Sequence, residues 1–214
     1  MDTINPLDYI PDEPHPFRTD PPGAITKMPS PREIHHVHIF SDTNYDAMVD
    51  FYTWLFNAEI IRVNPNGLTF ISYDDHDHRV VIVKREGWGT KPNRPIGVSH
   101  LAFAYASLGE LVFIYKKMKE RGYKPVWTNN HGNSTSFYYK DPDGNMVETQ
   151  LDNYTTLETQ QYKRYYQWSE DFLENTGDGD FDPDKMVALY ESGISDKILC
   201  SRHEVARLVK EGKL

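Results

Sequence analysis

The chain has 214 residues, carries a formal net charge of −9 at neutral pH, and is 38% hydrophobic. This length suits one domain or two small ones, and the composition is that of an ordinary globular protein. The acidic balance argues against binding of nucleic acid or of an anionic membrane surface, since both depend on clustered Lys and Arg. No stretch approaches the roughly 20 apolar residues of a membrane span. With Cys200 as its one cysteine, the chain can form no internal disulfide, and we expect a cytoplasmic protein.

Residues 1–32 are predicted to form a Pro-rich N-terminal arm. Eight of the 14 prolines lie there, and proline removes a backbone donor and fixes φ, which disfavours helices and central strands. Aromatic residues in the arm and near the C-terminus offer apolar contacts between subunits. On this basis we expect a homodimer.

An internal repeat follows the arm. Hydrophobic periodicity predicts a strand followed by a helix twice, at 34–40 and 43–57, then at 98–104 and 108–121. The two units superpose so that His36 corresponds to His100. Three strand-like segments follow each helix: 58–64, 67–73 and 78–84 in the first unit, and 123–128, 134–140 and 145–151 in the second.

The repeat predicts an α+β fold. Two β-α-β-β-β modules, at 33–95 and 96–152, are expected to form a cup-shaped mixed sheet. Residues 153–214 are predicted to form a helical C-terminal extension, in which Asp182 followed by Pro183 has the pattern of a helix start. No catalytic motif is visible in this extension.

The alternation of side chains along strands predicts which residues share the open face of the sheet. Apolar residues such as Val37 should pack under the helices, which leaves His36 and His100 on the open face at equivalent positions. In the last strand Val147 matches the buried side, so Glu148 faces the open side. Two imidazoles and one carboxylate form the facial triad of non-haem Fe(II) sites, and the same donors suit Zn(II), Mn(II) or Ni(II).

Three stretches carry a family resemblance: 34–37 (IHHV), 98–103 (VSHLAF) and 141–148 (DPDGNMVE). Together with the duplicated module, they resemble the vicinal-oxygen-chelate superfamily of glyoxalases, bleomycin-resistance proteins and extradiol dioxygenases. Within it, the chain is most similar to compact two-module type I extradiol catechol dioxygenases of the 2,3-dihydroxybiphenyl dioxygenase type. The resemblance covers about 33–151.

The resemblance implies a set of site residues. His36, His100 and Glu148 would hold Fe(II), with Mn(II), Zn(II), Ni(II) or Co(II) as alternatives. His78 would act as the acid–base group, and Tyr138 would hydrogen-bond to a substrate oxygen. A linker at 85–97 that is longer than the family's affects the alignment of His78.

Further candidates lie around this set. His131 falls in the loop that supplies polar groups around the oxygen intermediate in the family, although Asn129 is closer to the family's register. Asn129, Phe40 and His38 are the candidate substrate contacts. His76 and His78 could form a metal pair by themselves, whereas a solvated turn is the other interpretation of His76.

The predicted function is ring cleavage of a bulky catechol-like diol, with a small aromatic substrate and O2 as the reactants. A redox-neutral isomerase, lyase or epimerase of the same superfamily is the alternative, and a ligand-binding member without turnover is a third hypothesis. Many isomerases of the superfamily use a second carboxylate as a fourth ligand. The first module has no carboxylate at 79–81, where the counterpart of Glu148 would lie, and this favours three ligands and the dioxygenase.

Overall fold

The computed structural model of the chain describes residues 28–31, 33–89, 97–162 and 179–214. The chain divides into two compact units, 1–35 and 36–214, and every helix and strand given below lies in the second. Except for 28–31, the predicted N-terminal arm lies outside the described residues. Within the described ranges, no helix is long and apolar enough to span a membrane.

The first module is a four-stranded mixed sheet with one helix. Its strands lie in the order β1-β4-β3-β2, where β1 and β4 are parallel and the other pairs are antiparallel. The elements are β1 (Val37–Ser41), α1 (Tyr45–Leu55), β2 (Glu59–Asn64), β3 (Leu68–Ser72) and β4 (Val80–Lys84).

The second module repeats this arrangement. Its strands lie in the order β5-β8-β7-β6, with β5 and β8 parallel and the other pairs antiparallel. The elements are β5 (His100–Ala104), α2 (Leu108–Glu120), β6 (Trp127–Asn130), β7 (Ser134–Lys140) and β8 (Met146–Asp152). The predicted α+β fold with two β-α-β-β-β modules is confirmed.

One hydrophobic core lies between the helices and one face of each sheet. The buried residues of both helices recur at spacings of three and four, which places them on one side of each helix. They are Met48, Phe51, Tyr52 and Leu55 in α1, and Leu108, Leu111, Val112, Tyr115 and Met118 in α2. The sheets contribute buried residues that include Ile71, Val80, Ile82, Phe137, Tyr139 and Val147.

The turn before β8 connects the two modules. Tyr52 in α1 donates a hydrogen bond of 2.9 Å to Asp141, and Asn44 donates one of 2.8 Å to Asp143. Asp141 is buried, and this burial raises the pKa of its carboxyl, although bonds from Asn145 and Tyr52 oppose the shift. The sequence DPDG is therefore more than a tight turn here, because it ties the second module to the helix of the first.

The described part of the C-terminal extension is helical, as predicted. Asp182 accepts hydrogen bonds from the backbone of Asp184 and Lys185, which caps the helix at Pro183–Glu191. Tyr115 in α2 donates a hydrogen bond of 2.7 Å to Asp184, so this helix packs on the second module. The helices are α3 (Thr156–Tyr162), α4 (Pro183–Glu191), α5 (Asp196–Leu199) and α6 (Arg202–Lys210).

The largest difference from the predicted element boundaries is in β6. The strand was expected over 123–128 and is observed at Trp127–Asn130. Pro125 has no backbone N–H to donate, and the contact with β7 begins where the backbone N–H of Val126 donates to Tyr138. As a result, Asn129 lies in a strand and not in a loop, and His131 directly follows that strand.

Candidate active site

One face of each sheet is turned away from the core and carries the predicted site residues. In β1, Val37 and Ile39 pack against the core, whereas His38 and Phe40 are exposed. In β8, Val147 belongs to the core, which puts the adjacent side chain on the opposite face. The assignment of faces made from the sequence agrees with this burial pattern.

The first sheet contributes a group of three histidines. His36 directly precedes β1, His38 lies within it, and His78 lies just before β4. The ring centroids of His36 and His78 are 4.6 Å apart, and those of His36 and His38 are 5.2 Å apart. The ligand nitrogens of all three lie within 4.8 Å of one another. Within the described ranges, this is the one group of three or more His, Cys, Asp or Glu side chains at such spacing.

Asp77 and Arg62 hold His78 in place. Asp77 Oδ2 lies 2.6 Å from His78 Nδ1, and Arg62 donates two hydrogen bonds of 2.7 Å to the two Asp77 oxygens. The bonds from Arg62 and then from His78 lower the pKa of Asp77 well below its usual range. The Arg62 guanidinium also lies 4.2 Å from the ring centroid of Phe70, which meets the His78 ring edge to face. An ionised Asp77 assigns the proton of His78 to Nδ1.

The second sheet brings His100 and Glu148 together. Ala102 lies opposite Glu148 in the parallel pair β5–β8, and His100 Nε2 lies 3.0 Å from Glu148 Oε2. The Glu148 side chain is 6% exposed and that of His100 is 35% exposed. The carboxylate is therefore buried, with the imidazole at its more exposed side.

Tyr138 lies beside this pair. Its ring meets that of His100 edge to face at 5.4 Å and stacks on Trp127 at 4.5 Å, and its hydroxyl lies 2.9 Å from His131 Nε2. Burial, followed by the nearby Glu148, raises the pKa of Tyr138, so the phenol keeps its proton even at the alkaline pH where tyrosines in peptides ionise. Burial also lowers the pKa of His131, so that imidazole is neutral there.

The C-terminal extension contacts this part of the site, and the sequence does not predict this contact. Asp180 pairs with Asn129 in an isolated antiparallel bridge. Its Oδ1 accepts hydrogen bonds from Trp127 Nε1 at 2.7 Å and from Asn129 Nδ2 at 2.6 Å. The backbone N–H of Asn130 donates to Gly179 at 2.8 Å. Asp180 therefore fixes the indole on which Tyr138 stacks.

Contacts from the C-terminal helices complete this support of β6. Arg202 donates to the backbone oxygen of Asn130, and the Asn130 side chain donates to the backbone oxygen of Cys200 at 2.9 Å. A Cβ on Gly179 would lie 2.3 Å from the Asn130 oxygen, so this close approach requires glycine. The partners are separated by 70 and 72 positions in the sequence, and no local pattern signals such contacts.

Two candidate substrate contacts have different surroundings. Asn129 is buried, its amide nitrogen is bound to Asp180, and its amide oxygen has no hydrogen-bond partner in the described part of the chain. Phe40 is 52% exposed, and its ring lies 4.9 Å from that of Trp88, with the Arg85 guanidinium 5.5 Å from the Phe40 ring centroid. Phe40 is therefore exposed enough to contact a substrate, whereas the side chain of Asn129 is buried.

The two modules differ at the position of the carboxylate. His38 lies opposite Val81 in the pair β1–β4, and Ala102 lies opposite Glu148 in the pair β5–β8. His38 and Ala102 are equivalent in the repeat, so Val81 occupies the place of Glu148. Val81 is fully buried and has no metal-binding atom in its side chain. The strand register therefore places an apolar residue where the second module has its carboxylate.

The predicted site residues thus fall into two groups. His36, His38 and His78 lie together on the first sheet. His100 and Glu148 lie together on the second, beside Tyr138 and His131. The joint use of His36, His100 and Glu148 as ligands of one ion stays a prediction.

Comparison with known families decides the classification. A model of the Glyoxalase/Bleomycin resistance protein/Dioxygenase superfamily matches residues 33–149, more than half of the chain. The chain belongs to this superfamily. The match to the Glyoxalase/Bleomycin resistance protein/Dioxygenase superfamily begins before β1 and ends within β8, and so includes every predicted site residue.

Relatives within the superfamily include two proteins from Rhodococcus globerulus. Biphenyl-2,3-diol 1,2-dioxygenase 3 is 33% identical over 168 residues, which cover 77% of this chain and 86% of that protein. Biphenyl-2,3-diol 1,2-dioxygenase 2 is 35% identical over 120 residues, which cover 55% of this chain and 62% of that protein. Among solved structures, lactoylglutathione lyase from Agrobacterium tumefaciens matches 56% of this chain and 94% of its own, with 23% identity and a TM-score of 0.45.

Proposed function

We propose that this protein is a ring-cleaving dioxygenase of the extradiol type. Its substrates are a bulky aromatic diol and O2, and Fe(II) is its metal. The proposed metal ligands are His36, His100 and Glu148, and the proposed acid–base group is His78.

The observation that carries this proposal is the arrangement around Glu148. A buried carboxylate and an imidazole lie 3.0 Å apart, and the hydrogen-bonded pair of Tyr138 and His131 lies next to them. This chain, which carries that arrangement, is also 33% identical to a protein named biphenyl-2,3-diol 1,2-dioxygenase 3. Oxygen insertion needs hydrogen-bond donors where negative charge develops, and Tyr138 and His131 are groups of that type.

The residues present fit a divalent cation. Glu148 is buried beside an imidazole, and a buried carboxylate is stabilised by a nearby positive charge. One carboxylate oxygen and imidazole nitrogens are the donors that Fe(II) oxygenases use, with positions left open for substrate. When bound, the ion would supply Lewis-acid chemistry that lowers the pKa of the diol hydroxyls.

His78 is suited to move a proton. Its Nδ1 is fixed by Asp77 at 2.6 Å, which makes Nε2 the nitrogen that would accept a proton from a substrate hydroxyl and later return it. Arg62 keeps Asp77 ionised and oriented through two hydrogen bonds of 2.7 Å. The ring is therefore held in one tautomer before substrate binds.

Tyr138 and His131 are suited to stabilise an oxyanion. The Tyr138 hydroxyl is protonated at neutral pH, as phenols are, so it can donate a hydrogen bond to a substrate oxygen. Burial lowers the pKa of His131, which favours its neutral form. In this role His131 carries its proton on Nε2 and donates to the Tyr138 oxygen at 2.9 Å, which leaves the phenol proton for the substrate. Trp127, held by Asp180, keeps the phenol ring in place from the other side.

A bulky aromatic substrate is supported by the exposed pair of Phe40 and Trp88. Phe40 points to the same face as His38, and its ring lies 4.9 Å from that of Trp88. Exposed aromatic rings on a face with polar groups provide stacking surface for an aromatic ligand. A second ring on the diol would extend the contact with this pair.

Oxygen consumption tests the proposal. The protein is loaded with Fe(II) without air, then mixed with air-saturated buffer and a panel of one-ring and two-ring catechols. We expect O2 uptake equal to substrate consumed, a ring-opened product, and faster turnover of the two-ring diols.

The control variants for this test are Glu148→Ala and Glu120→Ala. Glu148→Ala should abolish uptake, whereas Glu120→Ala removes an exposed carboxylate from α2 and should leave uptake unchanged. Absence of uptake across the panel by a fully iron-loaded protein would contradict the proposal. It would favour a redox-neutral metal enzyme of the same superfamily.

A further inference from the structure

Three histidines on the first sheet are arranged as metal ligands. His36 and His38 are two positions apart on one chain segment, so both imidazoles point to the open face. His78 reaches the same place from the segment before β4, and the ligand nitrogens of all three lie within 4.8 Å of one another. His36 and His38 are exposed, so an ion in solution can reach them.

The contacts of His78 are those of a metal-binding histidine. Such residues almost always donate the second ring N–H to a carboxylate or carbonyl, which fixes the tautomer and strengthens the ligand. Asp77 lies 2.6 Å from His78 Nδ1, and Arg62 anchors Asp77 by two hydrogen bonds. These contacts orient His78, the third ligand of the group.

The donor set differs from that proposed for catalysis. It consists of three imidazole nitrogens, and the nearby Asp77 faces Nδ1 of His78. Imidazole suits Zn(II) and Cu(II), and both ions bind nitrogen sites more tightly than Fe(II) does. Three protein ligands also leave a fourth position open, as in zinc sites with three histidines.

We propose that His36, His38 and His78 form a second, inhibitory metal site for Zn(II) or Cu(II). The site shares His36 with the proposed iron ligands and takes up the proposed acid–base group, His78. An ion bound there therefore excludes the catalytic arrangement, and its inhibitory effect rests on the proposed function. His38 is the one member with no role as an iron ligand or in proton transfer, so its replacement separates the two sites.

Metal binding to the metal-free protein tests the site without any turnover. Zn(II) affinity is measured by calorimetry, and the donors of bound Cu(II) are counted by electron paramagnetic resonance. His38→Gln should weaken Zn(II) binding by at least ~10-fold and reduce the nitrogen couplings of Cu(II). Glu148→Gln and His203→Gln should each leave the Zn(II) affinity within about twofold of the wild type.

His203→Gln is the matched control, because it removes one exposed imidazole from α6. Asp77→Asn is the second test variant, since it keeps all three imidazoles but removes the carboxylate behind His78. It should weaken Zn(II) binding by roughly 10–100-fold. A melting temperature close to that of the wild type shows that each variant is folded.

Three results would overturn the inference. They are an unchanged Zn(II) affinity in His38→Gln, an equal or greater loss in Glu148→Gln, or fewer than three nitrogen donors on Cu(II) in the wild type. Oxygen uptake by the iron-loaded wild type reports on the proposed function separately. The three-histidine site can therefore be present when uptake fails, and absent when uptake is observed.

Discussion

His78 is the residue at which proton transfer can be separated from iron binding. If it acts as the acid–base group, His78→Phe should lower kcat by roughly 10²–10⁴-fold while the protein still binds Fe(II). Phenylalanine keeps a ring beside Phe70 and removes both nitrogens. His76→Phe is the matched control, because His76 lies in the same turn. Normal turnover in His78→Phe would remove His78 from the mechanism.

The hydroxyl of Tyr138 is the group proposed to donate a hydrogen bond to a substrate oxygen. Tyr138→Phe keeps the ring that stacks on Trp127 and removes the hydroxyl that lies 2.9 Å from His131. Loss of one donor to a developing oxyanion lowers kcat by roughly 10²–10³-fold. Steady-state kinetics should show this loss in kcat with a smaller change in KM. An unchanged kcat would mean that the hydroxyl does not contact the reacting oxygen.

Some residues of the site could be predicted from the sequence and others could not. The repeat and the alternation of side chains predicted the face of His36, His100 and Glu148, because both are local properties of the chain. They could not predict which histidines converge, since that depends on distances across and between the sheets. The grouping of His38 with His36 and His78 was missed for this reason.

Among the secondary-structure elements, the contacts between β6 and the C-terminal extension could not be predicted from the sequence. The strand begins at Trp127 because Pro125 cannot pair, and its far side is covered by Gly179 and Asp180. These contacts join parts of the chain that are distant in sequence, and no motif in the extension predicts them. The helix starts in the extension, in contrast, were predictable from local capping residues such as Asp182.

Gly179→Ala tests the fit of the extension against β6. The added Cβ would lie 2.3 Å from a backbone oxygen, so the segment must shift, and overpacking of this kind costs about 1–3 kcal/mol. Chemical denaturation should show this loss in the free energy of unfolding. Turnover should also fall, because Asp180 follows directly and holds Trp127.

Gly109→Ala is the matched control for this substitution. Its Cβ would approach the end of the Tyr190 side chain at 2.6 Å, and a flexible side chain can move aside. Gly109 is also in α2, where alanine is the better helix former. A loss of stability in Gly179→Ala no greater than in Gly109→Ala would contradict the close packing described for the extension.

At the scale of the whole molecule, the turn before β8 holds the modules together through Tyr52. Tyr52→Phe removes a hydrogen bond to the buried Asp141, and bonds to charged groups contribute about 1.5–3 kcal/mol. Tyr45→Phe is the matched control, because it removes a hydroxyl that contacts Thr69 within the first module. Urea denaturation should show the larger loss for Tyr52→Phe. Equal losses in the free energy of unfolding would mean that the hydrogen bond between the modules contributes no more than one within a module.

Buried tyrosines predict how the stability of the protein changes at alkaline pH. Among the tyrosines in the described ranges, burial is the main cause of a raised pKa in five: Tyr52, Tyr105, Tyr115, Tyr138 and Tyr139. These five stay protonated in the folded protein at the pH of about 10 where tyrosines in peptides ionise. The unfolded chain loses those protons first, so stability is complete below that pH and falls as the pH rises above it. Ultraviolet titration should show a second group of tyrosines that ionises only with unfolding, and a single reversible step for all 14 would contradict this.

The proposed function requires that both atoms of O2 enter the aromatic diol, and isotope labelling tests this requirement. The iron-loaded protein is given a two-ring catechol under ¹⁸O₂, and the ring-opened product is analysed by mass spectrometry. We predict that both oxygen atoms from one O2 molecule appear in the product, and that Glu148→Ala yields no product. Product that contains no label, or turnover that continues without O2, would contradict the proposed function.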